Sequence, residues 1–367
     1  MMSKNIAIFI DSLGGGGAEK VMLTLAIGLQ NAGNNVHFFL LEPRIEYDSP
    51  AEFPVHILYN DIKHRKSTNW LNIKQTARDM QTLVNEVSAH SGSFDLHLVN
   101  LDPSSKVLSR CHFVNTFYVL HNAMAQELKR EARLGPLKYW RKLREKKSYN
   151  NKNLIAVSEG VKNEALSKQY ITPKSVVRIY NPTDITTVQE LATVLNPDIP
   201  EEPYLIHAGR VVKQKRHDIL FQALALVPDI KLVLLCKYDK KARKLAAKYG
   251  VEHRIITPGF QENPYNWFAK AQLLISSSEF EGLGMNIIDS LICQTPVVST
   301  NCDYGPSEIL IGEQADFLTP VNDPETLAIK IIQALEKPPK IDLLHIKQNF
   351  SVEAAVEHYL KLAQQKP

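Results

Sequence analysis

Glu281 and Asp289, set around Gly282 and Gly284, are the residues whose types and spacing first invite chemistry. An apolar run from Leu273 to Ser277 reads as a buried strand, the glycines break the pattern, and Met285 to Cys293 resumes at helical period. Free N–H groups and the dipole at such a helix entrance favour a phosphate, and glycine lets a ligand approach the backbone. Glu281 precedes the entrance and Asp289 follows it by roughly 6 Å along the axis. Carboxylates so placed can accept hydrogen bonds from a sugar on one side and a ribose on the other, which suits a nucleotide diphosphate sugar. A second reading stays open on spacing alone, that both acids complement the helix dipole. Ile288, Leu291 and Ile292 form a core stripe, with Asn286, Asp289, Ser290 and Cys293 on a more polar face.

A diphosphate leaving group needs its charge offset, by a metal or by fixed cations. No Asp-x-Asp metal motif occurs in the sequence. The loop Gly209-Arg210-Val211-Val212-Lys213-Gln214-Lys215-Arg216 is basic and leads into an amphipathic helix at Ile219 to Leu226, although basic loops alone are usually solvated surface. Near the start, Gly14 to Gly17 joins a strand at Asn5 to Ile10 to a helix at Ala18 to Asn31. It fits neither GxGxxG nor GxxxxGK[ST], so neither a dinucleotide site nor a P-loop is expected.

Three runs carry a family resemblance: Gly16-Gly17-Ala18-Glu19, Gly209-Arg210 through Gln214-Lys215, and Glu281-Gly282-Leu283-Gly284 with Asp289, followed by Thr295-Pro296-Val297-Val298 and Gly305-Pro306-Ser307-Glu308-Ile309. They resemble the retaining glycosyltransferase family 4, of GT-B fold, closely in the C-terminal half and loosely in the N-terminal half. The resemblance implies that Glu281 positions the donor sugar and Asp289 the ribose. Arg210 and Lys215 would hold the diphosphate without a metal, along the backbone of Gly282, Leu283, Gly284 and Met285. Gly259-Phe260 resembles the stretch that borders the nucleobase, and His121, Gly16 and Gly17 would complete the pocket from the first domain. Three positions depart from the family pattern: Asp289 replaces a glutamate, Arg216 a glycine, and Cys236-Lys237-Tyr238 a glycine-rich turn.

Positioning these residues requires two domains, which 367 residues with 44% hydrophobic content can supply. Strands expected at Val36 to Leu41, Val55 to Tyr59, Asp95 to Asn100, Thr116 to Leu120, Asn153 to Val157, Val176 to Tyr180, Tyr204 to Ala208 and Lys231 to Leu235 alternate with helices. The expected architecture is α/β, two Rossmann-like domains facing across a cleft: residues 1–182 for the acceptor, a linker at 183–203, and 204–349 for the nucleotide sugar. Residues 350–367 would form a helix returning toward the first domain.

The net charge of +4 is too small to suggest nucleic acid, and the four cysteines lack metal-site spacing. No apolar run reaches the ~20 residues of a membrane span or forms a signal peptide, so a cytoplasmic protein, at most peripheral to the inner membrane face, is expected. Between Lys129 and Lys152, ten Lys/Arg face only Glu131 and Glu145, with Leu137, Trp140 and Leu143 at helical spacing. That segment suits an anionic membrane surface, and equally a solvated helix whose stripe packs on the sheet. The reading is a metal-independent hexosyltransferase with no cofactor beyond its nucleotide-sugar co-substrate, using a UDP-sugar and a glycan or lipid-linked glycan acceptor, as in lipopolysaccharide or surface polysaccharide synthesis. A nucleotide-sugar epimerase of the same fold and a non-catalytic subunit of a transferase complex are its rivals.

Overall fold

The buried apolar runs become parallel strands. A computed structural model describes residues 3–46, 53–60, 68–69 and 71–364. In the first unit, β1 Asn5–Ile10, β2 Asn35–Leu40, β3 Val55–Ile57, β4 Leu96–Asn100, β5 Thr116–Leu120, β6 Asn153–Ala156 and β7 Ser175–Arg178 form one sheet, ordered β3-β2-β1-β4-β5-β6-β7. Every pairing is parallel, with Ile6 opposite both Val36 and Leu96. Ile6, Ile8, Phe9 and Ile10 are all fully buried, as a sheet covered by helices on both faces demands.

The second unit repeats the plan with β8 Tyr204–Ala208, β9 Lys231–Leu235, β10 Ile255–Gly259, β11 Leu273–Ser276, β12 Val297–Thr300 and β13 Leu318–Thr319, ordered β10-β9-β8-β11-β12-β13 and parallel throughout. Its core joins Leu205, Leu232, Leu234, Leu273 and Ile275 of the sheet to Phe221 and Leu224 of the helix His217–Leu226. In both sheets the strand order turns back beside the first strand, between β1 and β4 and between β8 and β11. Outside the carboxyl ends at such a switch point the loops diverge and leave room for a ligand.

The units comprise Met1–Pro182 with Val352–Pro367, and Thr183–Ser351. Residues 183–203, expected as the crossing, fold with the second unit. Asn263 and Asn266 donate to the carbonyls of Leu191 and Val194, around the end of the helix Ile185–Ala192. The helix Val352–Ala363 lies on the helix Gly17–Asn31 so closely that a Cβ on Gly28 would stand 2.1 Å from Val352 Cγ1. The basic segment is two helices, Met124–Ala132 and Pro136–Lys146, rather than one, and of its apolar stripe Leu143 is half-buried while Leu137 is 85% and Trp140 63% exposed. No helix among the described residues is long and apolar enough to cross a membrane.

Candidate active site

The switch point of the second sheet brings together the loop after β8 and the loop after β11. Ser277 Oγ donates to Lys215 O at 2.8 Å, Glu279 N to Gln214 O at 2.8 Å, and Gln214 Nε2 to Phe280 O at 2.9 Å. These bonds fix the two loops against each other and set Lys215 Nζ 2.6 Å from Glu281 Oε1. Ser278 Oγ donates to the same oxygen at 2.6 Å. The Glu281 side chain is 10% exposed and that of Lys215 17%, so each charge in this largely buried pair depends on the other. Arg210 is exposed, and its guanidinium has no partner among the described residues.

Gly284, at φ +105°, caps the helix Met285–Ile292 with no side-chain cap hydrogen bond. The turn at 305–309 explains itself sterically, since a Cβ on Gly305 would lie 1.9 Å from Leu283 O. Glycine there lets this turn press against the helix entrance and buries Leu283. Along the helix, Asp289 is half-buried and contributes to raising the Tyr265 hydroxyl pKa, after burial itself. The polar face is narrower than expected: Ser290 and Cys293 are buried, with Ser290 Oγ donating to Thr295 O at 2.9 Å. Phe260, just beyond β10, is 73% exposed and free to serve as a stacking surface.

Arg216 stands where the family pattern has glycine, and it adopts the conformation that glycine would take, φ +46° and ψ +49°. Its guanidinium offsets that strain by clasping Asp218, Nε to Oδ1 at 2.9 Å and Nη2 to Oδ2 at 2.8 Å. Two histidines beside this loop were not anticipated. His207 and His217 are buried edge to face, 4.7 Å apart, and burial drives their pKa values to about 4 and about 2. They are uncharged at neutral pH, so they add no cation to the site. Their signal in the sequence was only a histidine inside a strand and another at a helix start.

In the first unit, the loop after β1 carries Gly16 as cap of the helix Gly17–Asn31. Glu19 folds back over it, with Oε2 2.3 Å from where a Gly16 Cβ would lie, whereas nothing lies within 4 Å of where a Gly17 Cβ would be. His121 follows β5, with Nε2 2.9 Å from Asn100 Oδ1. Because the Asn100 amide donates to Phe9 O and Leu98 O, its oxygen must accept, and His121 Nε2 therefore donates. Burial lowers the ring to about 4, so His121 is neutral and Nδ1 offers a bare lone pair. Among the described residues, no group of three or more His, Cys, Asp or Glu side chains could hold a metal.

A fold of two parallel α/β units, each with a loop site at its switch point, defines the GT-B class. The structure superposes on sucrose-phosphate synthase from Thermosynechococcus elongatus with a TM-score of 0.77 at 18% identity, covering 99% of this chain and 98% of that one. Anabaena HepE in complex with UDP and glucose gives 0.72 at 18% identity, covering 98% of each chain.

The family follows from sequence. Residues 196–350 match the model for glycosyl transferases group 1, and residues 15–187 the model for Glycosyltransferase Family 4. Together they make this chain a group 1 glycosyltransferase of GT-B fold. A curated relative from Campylobacter jejuni, N-acetylgalactosamine-N,N'-diacetylbacillosaminyl-diphospho-undecaprenol 4-alpha-N-acetylgalactosaminyltransferase, is 25% identical over 342 residues, 88% of each chain. The lipopolysaccharide core biosynthesis glycosyltransferase LpsE of Rhizobium meliloti is 30% identical over 46% of this chain and 52% of its own length.

Proposed function

We propose that the protein is a retaining, metal-independent glycosyltransferase of family 4. It moves a hexose or related sugar from a UDP-sugar to a lipid-linked glycan during synthesis of lipopolysaccharide or another surface polysaccharide, on the cytoplasmic face of an anionic membrane. The Lys215–Glu281 pair at the second unit's switch point carries this reading. A nucleotide sugar offers each partner a replacement: diphosphate for the lysine, sugar hydroxyls for the glutamate. Each partner of the pair would therefore exchange one polar counterpart for another as the donor binds. Arg210 adds a fork suited to phosphate oxygens, and the uncapped helix entrance at Gly282–Met285 adds backbone donors. Asp289 accepts from the ribose and Phe260 flanks the base. His121, whose free Nδ1 can only accept, suits a sugar hydroxyl rather than a phosphate.

In the reaction the bond from the anomeric carbon to the diphosphate oxygen breaks as the acceptor oxygen bonds to that carbon on the same face. The departing phosphate takes the acceptor's proton, and Arg210 and Lys215 stabilise the charge it gains. The lipid-linked acceptor is supported by the Campylobacter relative, whose name specifies a diphospho-undecaprenol and an α-linkage. Mass spectrometry after incubation with UDP-sugars and a polyprenyl diphosphate glycan should show an acceptor heavier by one sugar, with UDP released. Release of UDP and an isomerised free sugar, with the acceptor unchanged, would instead identify an epimerase. Arg210→Ala or Lys215→Ala should lower turnover roughly a hundredfold, about 3 kcal/mol, with EDTA harmless to the wild type. Activity lost to EDTA and restored by magnesium refutes the metal-free mechanism.

A further inference from the structure

The helix Pro136–Lys146 is turned inside out. An ordinary surface helix buries its apolar stripe, but this one buries Lys146 and half-buries Lys142, while Leu137 and Trp140 face solvent. Lys146 is 5% exposed, with Nζ 2.7 Å from Glu127 Oε2 and 2.9 Å from Asp102 Oδ2. Lys142 pairs with Asp102 as well, and lies 3.1 Å from Glu145 Oε2. Tyr149 Oη donates to Asp102 Oδ1 at 2.7 Å. Asp102 lies two residues beyond the switch-point strand β4, so the ionic cluster fixes the helix's rotation within the first unit. Burial would raise the Asp102 carboxyl, but Lys146 and Lys142 hold it below the usual range.

What this rotation presents to solvent is Leu137, Trp140, Arg141 and Arg144, at i, i+3, i+4 and i+7, with Leu134 of the preceding turn 56% exposed beside them. Lys129, Arg130, Arg133, Lys138 and Lys147 are exposed around that stripe, and no acid of the 129–152 segment is. Apolar side chains ringed by cations fit the boundary of an anionic bilayer, where tryptophan and leucine enter between headgroups and arginine meets lipid phosphate. A symmetric contact with a second copy would instead press these cations against their own equivalents.

We propose that this face docks the protein on an anionic lipid surface by inserting Leu134, Leu137 and Trp140. The proposal extends the reading above, in which the acceptor is lipid-linked, by naming the surface and the residues that enter it. Flotation with vesicles of phosphatidylglycerol and phosphatidylcholine in equal parts should carry the full-length protein, and pure phosphatidylcholine should not. Leu137→Gln with Trp140→Gln should weaken that binding about tenfold or more at both low and high salt. Arg141→Gln with Arg144→Gln should weaken it about as much at low salt, with the gap closing as salt screens the charge. All four side chains are exposed, so melting temperatures should match the wild type. Wild-type protein that does not float, or either double variant floating like wild type, overturns the proposal. So does a dimer in sedimentation velocity that Leu137→Gln with Trp140→Gln dissolves while vesicle binding persists. Flotation needs neither donor nor acceptor, so its failure leaves the proposed reaction standing, and a failed transfer assay leaves the docking standing.

Discussion

Glu281 and Asp289 differ in what they hold before any ligand arrives, and that difference separates their roles. Glu281 is committed to Lys215 and Ser278, and the donor must displace this arrangement to reach the lysine. Removing the carboxylate therefore takes away a partner of the sugar and frees a cation for the diphosphate. Glu281→Ala should lose turnover by roughly a hundredfold while binding UDP as well as wild type or better. Asp289 lies further along the helix, near Tyr265, and its proposed partner is the ribose. Asp289→Ala should weaken UDP itself by about 1–3 kcal/mol, the cost of a hydrogen bond to a charged group. Isothermal calorimetry with UDP distinguishes the two, and equal losses of affinity would show that neither carboxylate has the role assigned to it.

At the scale of elements, the site depends on one turn lying against another. Gly305, at φ +104°, gives its place beneath Leu283 O to no side chain, because the obstacle is backbone and cannot swing away. Gly305→Ala should cost at least about 2 kcal/mol of stability and displace the entrance at Gly282–Met285. A chemical denaturation midpoint unchanged from wild type would contradict that close approach. Strand periodicity located ten of the thirteen strands, because strands buried on both faces read as unbroken apolar runs, but not β10, which leads to Phe260, nor β12 beside β11. β3 shrank to Val55–Ile57, and β13 spans only Leu318–Thr319, too short for any periodicity to register. Contacts made across distant sequence were not legible. Nothing near Lys142 and Lys146 announces that Asp102 and Glu127 will draw them inward, so the exposure of Leu137 and Trp140 could not be foreseen from helical spacing. Arg216 is a local case, its left-handed backbone resting on the Asp218 clasp rather than on glycine.

Each unit of the molecule should respond to pH through its own buried groups, and Asp11 makes the first unit distinctive. It follows β1 at the switch point, where its Oδ1 accepts from Ser104 N at 2.9 Å and Ser104 Oγ at 2.6 Å. Burial raises its pKa from 3.8 to about 7 despite those bonds, with the charges of Asp102 and Glu19 adding to the rise. In the unfolded chain the carboxyl ionises near 4, whereas in the folded unit it keeps its proton until about pH 7. Between those values the folded state binds the extra proton, so stability from this residue is full below pH 4 and falls as pH rises through that window. Asparagine keeps the oxygen that Ser104 needs and cannot ionise. Asp11→Asn should therefore raise the first unit's stability at pH 8 by up to about 4 kcal/mol, with the gain shrinking toward zero at pH 4. Because two units need not unfold together, the readout should be hydrogen exchange of β1 and β4 amides rather than one melting temperature. A gain that is the same at pH 4 and pH 8 would mean that Asp11 is already ionised in the folded protein.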